Sequence, residues 1–222
     1  QPYTEKKILD VHRTHLLLGK YNSKKIFSFL NDIFDYSLLD KSKIEEFNKL
    51  TYKSQKNDQF TILVKRILNY FIPYEFRSKV MDELMSKFMP EEKNLLKNFY
   101  LTNNQIFEMH NEGMIIGSHT VNHPVMSRLS YEEQEFQIYN SFRHLKKIVK
   151  NFNQKTFCYP YGGFHSFNNE TEKILSKHNC IYSFNVEHRD IENSDLKNRP
   201  QALPRYDCNC FKYGQIWTNK KL

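Results

Sequence analysis

Met114-Ile115-Ile116-Gly117-Ser118-His119-Thr120-Val121-Asn122-His123-Pro124 is the stretch that decides how this chain reads. Three apolar residues in a row suit a short strand buried in a sheet. The strand runs into two histidines four residues apart. Imidazole is the commonest protein ligand for zinc and similar ions, and two rings at this spacing reach one ion from a single turn. Pro124 disfavours the helical conformation at His123, which places the pair on a loop-to-helix corner rather than inside a helix. The spacing alone leaves two readings open: a metal pair, or two polar loop histidines that cap local backbone.

Towards the C-terminus the same pattern recurs. Ser130-Tyr131-Glu132-Glu133 fits a helix-capping box, and Ile138, Phe142, Leu145 and Val149 follow at helical spacing. Thr156 to Tyr159 reads as a second buried strand. A helix capped by Asn169 runs through Lys177, Ile181 to Val186 reads as a third strand, and Leu203 starts a fourth. Strand and helix alternating at this interval predict a parallel α/β sheet or barrel, in which ligands bind beyond the C-terminal ends of the strands. The second strand leads into Tyr159-Pro160-Tyr161-Gly162-Gly163. A proline and two glycines make a stiff, tight corner, able to aim a backbone N–H at a substrate oxygen or serving as a plain turn between strand and helix.

Towards the N-terminus the pattern is helical. Lys24 to Phe34, Phe60 to Phe71 and Lys79 to Phe88 each carry apolar residues at helical spacing, with Pro73 ending the second and Pro90 opening a further helix. Asn104 to Asn111 predicts another, stopped by Gly113. The division expected is a helical insertion or cap over 1–100 and an α/β part over 101–222.

Composition narrows the function. With 18 Phe and 14 Tyr among 222 residues, the chain is too aromatic for a disordered one. No apolar run approaches the length of a membrane span. The net charge of +8 divides into +5 over residues 1–100 and +3 over residues 101–222, with no basic cluster longer than a pair. A nucleic-acid binder needs a basic stripe, so nucleic acid is not expected as a partner. Cys208 and Cys210 lie too close for an ordinary disulfide framework, and no Cys-x-x-Cys pattern occurs among the four cysteines. That usage points to a reducing compartment, the cytoplasm.

Gly117-Ser118-His119-Thr120-Val121-Asn122-His123-Pro124 resembles the second motif of the polysaccharide deacetylases, the NodB-homology family, and Tyr159-Pro160-Tyr161-Gly162 resembles their third. Leu203-Pro204-Arg205 is similar to the later segment that supplies a supporting arginine. The resemblance covers about residues 101–210. Gln1 to Gly19 more loosely resembles an insertion found in bacterial members tied to surface-polysaccharide clusters. The fold implied is a partial, irregular (β/α) barrel of the NodB-homology type with a helical insertion. The function implied is hydrolysis of the N-acetyl group of a sugar in a bacterial surface polysaccharide or its precursor. The substrate would be an N-acetylated glycan, a sugar nucleotide or a lipid-linked sugar. The resemblance makes His119 and His123 ligands of Zn²⁺ or another divalent ion. It makes Tyr161 the donor of an oxyanion-binding backbone N–H, with Pro160 and Gly162 shaping the turn against substrate. Arg205 would orient the catalytic base.

The family's first motif, Thr-Phe-Asp-Asp, carries the base and the third metal ligand, and it has no counterpart here. Asp10 follows an apolar pair but lies in the insertion-like segment. Cys158 stands where many members have arginine, and no histidine follows His188 to act as the late general acid. His165 sits near the third-motif turn but in a different part of the pattern. The expectation is therefore a C-terminal fragment that is inactive, or nearly so, by itself. The alternative is a non-catalytic module that binds carbohydrate or protein.

Overall fold

The computed structural model describes residues 2–3, 5–39, 41–53 and 55–211. Gln1, which opens the insertion-like segment, lies outside them. The chain divides into two compact units, whose described parts end at Tyr100 and begin at Leu101.

The first unit is helical. Its elements are α1 (Asp10–Lys20), α2 (Ser23–Ile33), α3 (Lys41–Leu50), α4 (Gln59–Arg66), α5 (Tyr74–Phe88) and α6 (Leu96–Phe99). Asn22 caps α2 by accepting from the backbone N–H groups of Lys24 and Lys25, and Asp58 caps α4 in the same way through Phe60 and Thr61. The helix expected over 60–71 changes pitch. After Arg66 it widens into one π-turn, Ile67–Phe71, before Pro73 stops it, and every residue of that turn is buried. Leu17, Ile26, Leu30, Leu68, Met81 and Leu84 are fully enclosed. Arg13, 4% exposed, is held among them by a two-pronged bond to Glu92 at 2.6 and 2.7 Å and a third to Asp82 at 2.8 Å. A buried guanidinium demands this much carboxylate, because an unpaired one would cost several kcal/mol of desolvation.

The second unit contains the strands. α7 (Asn103–Asn111) opens with a capping box at Thr102 and stops at Gly113, whose φ of 90° suits glycine. α8 (Tyr131–Ile148) starts with the capping box at Ser130 and Glu133 that the sequence announces. β1 (Thr156–Cys158), α9 (Asn169–Lys177), β2 (Tyr182–Phe184) and α10 (Asn193–Asn198) follow. α9 is capped by Asn168, one residue earlier than expected. β1 and β2 pair in parallel, Phe157 opposite Ser183. Single parallel bridges extend the order on both sides, Ser118 to Phe157 and Phe184 to Leu203. The described structure is thus mainly helical with a small parallel sheet.

The buried strand expected at Met114–Ile116 does not form. Met114 is 51% exposed and Ile115 65%, and sheet contact begins only at Ser118. Among the described residues, 114–116 find no ladder partner, and an apolar run becomes a strand only where another backbone meets it. The fourth strand expected at Leu203 is likewise a single bridge.

One face of the sheet is covered. Phe157 and Tyr159 point to it and pack with Ile138, Phe142, Phe167, Ile174 and Leu175 from α8, α9 and the preceding turn. Tyr159 stacks on Phe167 at 3.7 Å between ring centroids, and its hydroxyl donates to the Gln201 carbonyl at 2.5 Å. This core fixes the ends of β1 and β2, and so fixes the loops that leave them.

Candidate metal centre at the strand ends

His119 follows the bridging Ser118, and His123 lies four residues on in the loop before a short 3₁₀ turn, Met126–Arg128. Neither is on a helix. Their ring centroids are 4.7 Å apart and nearly perpendicular. Tyr161, from the loop after β1, brings its ring to 4.9 Å from that of His123. The structure therefore unites His119, His123 and Tyr161. Arg205 lies two residues beyond the Leu203 bridge and lines a cleft with His119, Gly117, Thr156, Cys158, Tyr182 and Phe184.

His119 Nδ1 lies 2.7 Å from the carbonyl oxygen of Cys158. A carbonyl only accepts, so Nδ1 carries the proton and Nε2 the lone pair. Metal-bound histidines are commonly held in their tautomer by a second-sphere bond of this kind. The donor chemistry thus fits a divalent ion at His119 and His123. Among the described residues no third histidine, cysteine, aspartate or glutamate completes a set.

The loops that carry these residues are bent against their preferences. Thr120, His123 and Tyr161 have φ of 69°, 56° and 64°. Left-handed backbone costs a non-glycine residue about 1–2 kcal/mol, and most for a β-branched one such as threonine. Strain of this sort persists where surrounding bonds enforce it, and it gathers at functional sites. The enforcing bonds are visible. Gln137 of α8, 7% exposed, accepts from the backbone N–H groups of Val121 and Asn122 at 2.9 and 3.0 Å. Thr120 Oγ1 accepts from the His123 N–H at 3.0 Å. Ser118 and Ser141 share a bond at 2.6 Å. Gln134, in the same buried row of α8, accepts from Thr171 Oγ1 at 2.6 Å and donates to the Leu129 carbonyl at 3.1 Å. None of these helix residues stood out as functional in the sequence. The available signal was polar side chains at 134, 137 and 141, on the face of α8 that carries Ile138 and Phe142.

At the second loop Pro160 and Gly162 are both buried. Gly162 has φ of 77°, and a Cβ there would lie 2.3 Å from Val186 Cγ2. Its carbonyl accepts from the Val186 N–H at 2.7 Å, which ties the turn to the end of β2. Gly162→Ala is expected to lower stability by roughly 2–4 kcal/mol, from left-handed strain and overpacking together. The urea midpoint of the second unit, read from a probe in α8 or α9, checks this.

Cys158, in the position of the expected arginine, faces the cleft. Burial pushes its thiol up, and the nearby Arg205 partly offsets this. His165 lies past the turn, its ring 2.5 Å from where a Gly163 Cβ would stand, and its carbonyl accepts from Ser127 Oγ at 2.7 Å. Asp10 belongs to the first unit, where it meets Arg13 at 3.3 Å.

No curated protein is significantly similar to the chain. Among solved structures it is similar to the Streptococcus pyogenes deacetylase PplD in complex with acetate. The identity is 16% and the TM-score 0.43, over 83% of this chain and 78% of that one. Residues 82–182, which include both histidines, Tyr161 and the strand pair as far as Tyr182, match the family model named polysaccharide deacetylase.

Proposed function

We propose that the chain supplies the metal-binding and oxyanion-binding side of a hydrolase that removes the N-acetyl group from a sugar of a bacterial surface polysaccharide or its precursor. The observation that carries this reading is the pair of imidazoles at 4.7 Å facing Tyr161, inside the segment that matches the family. His119 and His123 would hold Zn²⁺ or another divalent ion. Such an ion, when bound, polarises an amide carbonyl and acidifies water.

The remaining work falls to the chain. The Cys158 carbonyl fixes the His119 tautomer. Gln137 and Thr120 hold the loop that presents His123. Pro160 and Gly162 shape the turn, so that the Tyr161 N–H would donate to the substrate oxygen as negative charge develops on it. Arg205 would orient a carboxylate base. The chain's described residues do not provide a third ligand to the pair, so residues 1–222 alone are expected to turn over little or nothing. No helix among the described residues is long and apolar enough to cross a membrane. A cytoplasmic location stays part of the proposal and rests on the cysteine spacing. The division into a helical insertion over 1–100 and a catalytic part over 101–222 is proposed with it.

The incomplete donor set also favours a second reading, a module that binds carbohydrate or protein without catalysis. Acetate release separates the two. The gene product that contains residues 1–222 is expected to release acetate from N-acetylated sugars, and to stop when a chelator is added. Residues 1–222 by themselves are expected to stay at background. Release that survives His119→Ala, or no release from any N-acetylated or N-formylated sugar, would leave the binding module standing.

A further inference from the structure

α8 contacts α7 and α9 within the second unit. Gln134, Gln137, Ile138, Ser141 and Phe142 form its buried face. The opposite face is open although both flanking helices are in place. Along it run Glu132, Phe136, Tyr139, Arg143 and Lys147, all exposed. At 3.6 residues per turn these five fall within about 80° of arc, so they form one stripe. Phe136 is 55% exposed and Tyr139 48%. Single exposed apolar side chains are ordinary. Two aromatic rings one turn apart, with charge at either end, make a patch. The His178 ring, 5.6 Å from that of Tyr139 between centroids, widens it.

The stripe is acidic at its start and basic at its end. Glu132 and Glu133 lie in the first turn of α8, Lys146 and Lys147 in the last. The helix macrodipole favours this polarity in any helix. It gives no reason for the two rings, nor for Arg143 and Lys147 four residues apart, where like charges repel. Glu135, to one side of the stripe, pairs with Lys177 at 2.6 Å. Among the described residues Glu132, Arg143 and Lys147 make no ion pair.

Read in reverse, the stripe is its own complement. A two-fold axis crossing α8 between Tyr139 and Asn140 sets Glu132 opposite Lys147 of a second copy and Phe136 opposite its Arg143. The two Tyr139 rings then meet beside the axis. A parallel pairing would set like charge on like. A patch of one sign calls for a foreign partner of the other sign, whereas this arrangement calls for itself.

We propose that the outer face of α8 pairs two copies of this chain, antiparallel, about a two-fold axis between Tyr139 and Asn140. Arg143 of each copy covers the Phe136 ring of the other, a cation over an aromatic face. The contact is isologous and closes on itself as a dimer. One helix from each copy buries less than the ~1,200 Å² of a standard interface, so the dissociation constant is expected to be on the order of 10 µM. The dimer goes beyond the hydrolase reading and does not depend on it. The stripe lies on the opposite face of α8 from Gln137, which holds the His123 loop, and it requires no metal.

Sedimentation velocity of residues 1–222 tests this at concentrations from about 1 to about 500 µM. A chelator is present throughout, so that no ion bridges copies through histidine. A reversible monomer–dimer equilibrium is expected. Phe136→Glu, at an exposed position that leaves folding intact, is expected to weaken it about tenfold or more. Glu132→Lys and Lys147→Glu each set like charge on like and are expected to weaken it about threefold or more. The double variant E132K/K147E restores opposite charges across the axis and is expected to return to within about twofold of the original. Far-ultraviolet circular dichroism confirms that each variant is folded. A chain that stays monomeric throughout overturns the proposal. So does a dimer indifferent to Phe136→Glu, or a double variant weaker than both single ones, since the two charges would then not face each other.

Discussion

Replacing His119 or His123 with alanine is expected to weaken binding of Zn²⁺ or Co²⁺ by on the order of a hundredfold each, and the double replacement is expected to add little to either single one. The reason is chelation. With the two rings 4.7 Å apart, the second imidazole engages an ion already held by the first at high effective concentration. Removing either ring leaves one surface imidazole, which binds no better than a histidine anywhere else. Isothermal titration at fixed pH measures this, and fixed pH is necessary because metal competes with protons for the ligating nitrogens. Cobalt adds an absorption band that reports nitrogen coordination independently of affinity. Far-ultraviolet circular dichroism should be unchanged in all three variants, since both histidines lie in loops outside the apolar core. Additive losses, or a single variant with full affinity, would mean that the two rings do not share an ion. The hydrolase reading would then lose its central observation.

The second large effect is on stability. Phe157→Ala is expected to destabilise the second unit by roughly 3–5 kcal/mol, as complete truncation of a buried aromatic does. Phe157 is 0% exposed, lies edge-on to Tyr159 with ring centroids 5.4 Å apart, and contacts Phe142 of α8 at 6.4 Å. It is also the residue at which the sheet is joined on both sides, to Ser118 and to Ser183. A cavity there removes the support beneath His119 and beneath the Tyr159–Gly162 turn together. Phe157→Leu keeps most of the volume and is expected to cost less than about 1.5 kcal/mol. Urea denaturation followed at α8 checks both. Equal midpoints for the two variants would show that the strand junction does not depend on this ring.

The sequence exposed the chemistry of the site better than its geometry. His119 and His123 announce themselves because ligand type and spacing are local properties, and Gly162 because a proline-glycine corner is a local instruction. The capping boxes at Thr102 and Ser130 are legible for the same reason, each being complete within four residues. The strand at Met114–Ile116 was misjudged because three apolar residues specify burial only if another backbone arrives beside them, and none does among the described residues. The left-handed turns at Thr120 and Tyr161 left no mark, since neither residue type invites them. Gln137 was invisible as a functional residue. Its amide matters only after α8 has docked on the sheet and met a loop that precedes it in the chain. The family resemblance, read over about residues 101–210, has both of its main motifs inside the family match over residues 82–182.

The row Gln134, Gln137 and Ser141 has a kinetic meaning. Gln137 accepts from two backbone amides of the loop, so the bend that presents His123 is tied to the seating of α8. Ordering of the corner that carries His119 and His123 is then expected late in the folding of the second unit, and early loss of α8 in partial denaturation is expected to dissolve it. A substitution on the outer surface of α8, far from any imidazole, could change how long the corner survives between such openings while leaving every bond within it intact.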